Sequence, residues 1–123
     1  MALSKKPEVD ISKLHPNLLD TLPTIEKAWN AFFPEDIDGG TITSGHEVTT
    51  PLVHGEKSKH YITNNASGLG EAVDIRAHDV QQAKVTIFVG ILWTTLTVIH
   101  GDKFKIFAEG MLTGNSHIHI QLK

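Results

Sequence analysis

Residues 85–99 form fifteen consecutive positions without a charged side chain, and no other feature narrows the possible folds as much. Such a run is driven out of water, because apolar surface gains about 25 cal/mol for each Å² buried. It is shorter than the roughly 20 residues that cross a bilayer as a helix, and it carries Gly90, Thr94, Thr95 and Thr97. It reads as a buried core element rather than a membrane span. Val80, Ala83, Ile87, Ile91, Thr95 and Val98 step by three or four, which predicts a helix. Asp79 is placed as its N-cap and Gly101 as its stop. The β-branched residues after Leu92 leave helix and strand both open there.

Upstream, Leu18, Leu19, Leu22, Ile25, Ala28, Trp29 and Phe32 mark one buried helix face. Pro16 suits a first turn. Pro23 would break the ladder, so two short helices are expected rather than one, and Pro34 closes the segment. His15 and His100 fall in these helical parts and read as ordinary residues. Thr41-Ile42-Thr43-Ser44 follows the turn residues Asp38-Gly39-Gly40 and predicts a strand. Residues 72–75 predict a second. Residues 104–108 and 117–122 alternate with period two and look like a hairpin pair, joined by a loop over 110–116. Residues 51–58 and 64–70 read as loops, and the polar residues 1–13 as a flexible arm. The expected fold is α+β, a single domain over 1–123 in which helices pack on a small antiparallel sheet.

The formal net charge is −3 and Arg76 is the one arginine, so no basic stripe supports nucleic acid as a partner. There is no cysteine, which excludes disulfides and thiolate metal sites; any metal must be held by histidine and carboxylate. The first thirteen residues have no apolar h-region. Synthesis in the cytoplasm without a signal peptide, no membrane span and a monomeric chain are the expectations.

Eight histidines are many for this length. In His117-Ile118-His119, alternate residues of a strand point to one face, so both imidazoles project together while Ile118 and Ile120 face the core. Two such histidines can ligate one metal, or one can ligate while the other donates a hydrogen bond beside it. The plainer reading is a half-exposed strand with two incidental histidines. Asp74 lies between Val73 and Ile75 on an apolar strand, and a carboxylate there needs a partner because burying it alone is costly. That partner is either a metal or a cation such as Arg76. Two histidines and one aspartate would leave a fourth zinc position for water, as in catalytic sites.

Ser58-Lys59-His60-Tyr61, then Gly70-Glu71-Ala72-Val73-Asp74-Ile75-Arg76, then the terminal His117-Ile118-His119, together resemble the D-Ala-D-Ala metallopeptidase family. That family includes zinc D,D-carboxypeptidases, L-alanyl-D-glutamate endopeptidases of phage lysis, and the metal-binding fold shared with the Hedgehog signalling domain. The likeness covers roughly residues 18–123. Ile42-Thr43-Ser44-Gly45 looks like its strand before the first ligand, and His54 like a histidine of its phage members. The resemblance implies zinc held by His60, Asp74 and His119, with Glu109 as general base and His117 steadying substrate or oxyanion. His54, Ser58 and Arg76 would contact substrate, a peptidoglycan stem peptide.

Three departures accompany the resemblance. Fourteen positions separate His60 from Asp74, more than is usual in the family, and the stretch between Glu109 and the histidine pair is also long. Glu47 stands near the place where many carboxypeptidase members carry an arginine, which favours an endopeptidase. The alternative is a module of the same fold that keeps zinc without catalysis.

Overall fold

The computed structural model describes residues 4–5, 11–36, 40–44, 69–111, 114 and 116–123. Pro16 and Pro23 organise its first part. Each sits in the first turn of a short helix, where its missing N–H costs no hydrogen bond. Helix α1 is Pro16–Leu19 and α2 is Leu22–Phe32, so the expected division in two holds. His15 is not helical. It is the N-cap of α1, and its Nδ1 accepts from the Asn17 N–H at 3.1 Å.

Among the described residues, five strands follow the chain: β1 Ser4–Lys5, β2 Thr41–Ser44, β3 Ala72–Arg76, β4 Phe104–Glu109 and β5 His117–Leu122. They form one sheet in the order β1-β2-β3-β5-β4. β1 runs parallel to β2, and every other pairing is antiparallel. The fold is therefore α+β, as expected, with the predicted hairpin formed by β4 and β5. The amino-terminal arm departs from expectation, because Ser4–Lys5 pairs with Thr41 and Ile42 and so belongs to the sheet.

Alternation along the strands gives the sheet two unlike faces. Val73, Ile75, Ile118, Ile120, Leu122 and Phe104 are buried in the core. They join Ile25 and Trp29 of α2 and Val85, Phe88, Leu92 and Leu96 of helix α3, Gln82–His100. Between the helices, the Phe88 ring lies 5.4 Å from Trp29 and 5.1 Å from Phe33, edge to face. Trp29 Nε1 donates to Asp36 at 2.9 Å, and the same carboxylate oxygen accepts from the Gly40 N–H at 3.1 Å. This ties the end of α2 to the start of β2.

Two expectations for α3 need correction. Asp79 does not cap it, because its carboxylate is paired with Arg76 at 3.1 Å and the helix starts three residues later. Gln82 organises that start instead. Its amide donates to the carbonyls of Ala77 and Val80 and its oxygen accepts from Ser116 Oγ, which fastens the helix to the beginning of β5. Nor are residues 85–99 wholly core. They are helical throughout, but Ile87 is 59 % exposed and Val98 79 %, because the helix rests on the sheet along one side only.

Candidate metal centre

The face of the sheet away from the helices carries Asp74, Glu109, His117 and His119, four of the residues singled out for chemistry. Register sets them in two rows across β3, β5 and β4. Asp74, His119 and Phe107 stand in one row, and Arg76, His117 and Glu109 in the next. Side chains opposite one another on antiparallel strands have Cβ atoms about 5 Å apart, so residues distant in sequence meet here without any special loop.

Asp74 is 4 % exposed and His119 7 %. His119 Nδ1 lies 2.8 Å from Asp74 Oδ1, and its Nε2 lies 2.8 Å from Gln121 Oε1. The Asp74 carboxylate only accepts, so the bond to it calls for the proton on Nδ1. Burial alone pushes the pKa of this imidazole down. The hydrogen bond and charge of Asp74, the bond to Gln121 and the charge of Glu109 outweigh it, and the net shift is upward. Phe107 stacks on the ring, centroids 4.7 Å apart and planes 29° apart, which fixes its tilt.

His117 is half-buried and its Nε2 lies 3.2 Å from Glu109 Oε1 and 4.0 Å from Asp74 Oδ2. Glu109 is exposed, and its Oε1 is also 3.6 Å from His119 Nδ1. Asp74, Glu109 and His117 each offer a ligand atom within 4.8 Å of the others. Donors about 2.1 Å from a tetrahedral ion stand about 3.4 Å apart, so these separations suit a single small cation. One imidazole and two carboxylates, with a second imidazole bonded to the buried aspartate, form a nitrogen and oxygen set of the kind taken by zinc and neighbouring divalent metals. The group can hold a metal ion; its donor set does not select which.

Asp74, Glu109, His117 and His119 are thus brought together on one face of the sheet. Arg76 shares the row of His117, but its guanidinium turns to Asp79 and, at 3.4 Å, to Thr41 Oγ1. His54, Ser58, His60 and Glu47 lie outside the described residues. Two contributors were missed in the sequence. Gln121 falls two residues beyond His119 on the same strand face, and period-two alternation could have flagged it. Phe107 becomes the stacking partner of His119 through the hairpin register, for which the sequence offered no signal. No protein-family model, curated protein or solved structure matches the chain.

Proposed function

We propose that the chain is a zinc-dependent peptidase that hydrolyses a peptide bond in peptidoglycan stem peptides. The observation that carries this reading is the meeting of buried Asp74, His117 and exposed Glu109 on one sheet face at separations a single ion can bridge, with His119 bonded to Asp74 beside them. The motif resemblance supplies the substrate class. Asp74 and His119 would hold the metal, and His60 would complete the set. A bound zinc ion would lower the pKa of its water toward ~7 and polarise the scissile carbonyl. Glu109 would take the proton of the attacking water and pass it to the leaving amine. His117 would donate to the oxygen that gains charge in the transition state. Burial of Asp74 keeps its carboxylate in place, while exposure of Glu109 leaves it within reach of substrate.

A second reading has its own support. If Asp74, Glu109 and His117 all ligate the ion, Glu109 is no longer free to act as base, and the site binds metal without turnover. One substitution separates the two. Under the catalytic reading Glu109→Gln keeps its zinc and loses activity on peptidoglycan by about 10²–10⁴-fold, measured by metal analysis and by mass spectrometry of released fragments. Under the binding reading wild type releases no fragments and Glu109→Gln loses metal. Absence of metal from wild type, with no uptake on titration with zinc, overturns both.

A further inference from the structure

Asp74 stands between two groups of donors. Its Oδ1 is 2.8 Å from Nδ1 of His119, the residue opposite it on β5. Its Oδ2 faces the next row, 4.0 Å from His117 Nε2. In that row Glu109 Oε1 lies 3.2 Å from the same nitrogen. Asp74, Glu109 and His117 bring ligand atoms within 4.8 Å of one another, and His119 is not one of that group. A carboxylate offers about four lone-pair sites on its two oxygens, so the two oxygens of Asp74 can serve two ions at once.

The surroundings keep the two groups apart. Phe107 stacks on the His119 ring and Gln121 lies 2.8 Å from its Nε2, so the ring stays in the row of Asp74. Asp74 is buried, which fixes its carboxylate between the rows. Arg76 shares the row of His117 and Glu109, but its guanidinium is paired with Asp79 at 3.1 Å. Among the described residues, the groups paired with Glu109 are the His117 and His119 rings.

We propose that this face takes two divalent cations, one on each side of Asp74, and that the second silences the first. The proposal rests on the zinc peptidase reading given above. Asp74 Oδ1 and His119 Nδ1 hold the first ion of that reading, and Asp74 Oδ2, Glu109 Oε1 and His117 Nε2 hold the second. Paired ions in such centres stand about 3.5–4 Å apart. Two dications about 4 Å apart repel even in bulk water, enough to weaken the second on the order of 10³-fold relative to the same donors alone. The second ion therefore enters only at excess metal. Once it is bound, Glu109 cannot accept the proton of the attacking water, and His117 cannot donate to the oxygen that gains charge. Glu109 is the one carboxylate in the two rows besides Asp74, so neither row holds another base to replace it.

Equilibrium dialysis of the whole chain against zinc, with the metal counted by atomic emission, tests the proposal independently of turnover. Wild type is expected to hold one ion at low zinc and to gain a second at higher zinc in a separate step. Glu109→Gln and His117→Ala are each expected to keep the first ion and lose the second step, with unchanged circular dichroism. Release of peptidoglycan fragments by wild type is expected to fall by about 10²-fold or more as the second ion takes Glu109, and to return when a chelator brings the count back to one. One ion in wild type at every zinc concentration, with hydrolysis intact, overturns the proposal and leaves the peptidase reading standing. Two ions retained by Glu109→Gln, or hydrolysis that rises with the second ion, also overturns it. No ion at all, or no hydrolysis with one ion bound, removes the peptidase reading and this proposal with it.

Discussion

His119 shows how one residue can be committed on every side. Its ring is stacked by Phe107 and bonded at both nitrogens. A metal can take Nδ1 only by displacing the proton shared with Asp74, so metal affinity should rise with pH and binding should release a proton. The metal-free chain should behave in the opposite sense. The folded-state pKa of His119 is raised, so its contribution to stability is complete below the unfolded value of about 6.5 and is lost as pH rises through the folded pKa. Thermal unfolding in chelator across that window should show a falling melting temperature, with the slope flattened in Asp74→Asn. Gln121 sets the other nitrogen. With Nε2 anchored by Gln121, a metal competes with Asp74 for Nδ1, so Gln121→Leu should weaken zinc binding by about 10–100-fold, read by competition with a metal-sensitive dye, without loss of fold. Equal zinc affinities in wild type and Gln121→Leu would remove this role.

At the scale of elements, the strands were the most legible part of the sequence. Period two placed β2, β4 and β5 and named Ile118 and Ile120 as inward residues, because a one-residue slip would turn every side chain to the wrong face. The break at Pro23 was legible for an equally local reason. The start of α3 was not: Asp79 has the chemistry of a cap, and only the position of Arg76 shows that its carboxylate is taken. The pairing of Glu109 with His117 was illegible too, since it depends on hairpin register rather than on either residue. The uncharged run of α3 misled because lack of charge marks both sides of a helix alike. Substitution should tell those sides apart. Phe88→Ala should cost about 3–5 kcal/mol, measured by urea unfolding of dilute protein. Ile87→Ala in the same assay should stay within about 0.5 kcal/mol.

Across the whole molecule, helices and core lie on one side of the sheet and the candidate metal centre on the other. Stripping metal should therefore leave the fold in place. Circular dichroism at room temperature should not change on chelation, while the unfolding free energy should fall, and the melting temperature with it, by what ligand binding had added, about 3–4 kcal/mol at 100 to 1,000 times the dissociation constant. A collapse of secondary structure on chelation would mean that the metal also organises the core.

The alternation along β5 has a consequence for how this protein can change. Its six residues interleave two obligations, packing at Ile118, Ile120 and Leu122 and chemistry at His117, His119 and Gln121. Mutation can alter one set while leaving the other in place. A lineage could thus rework the polar face within a single strand and inherit the same fold.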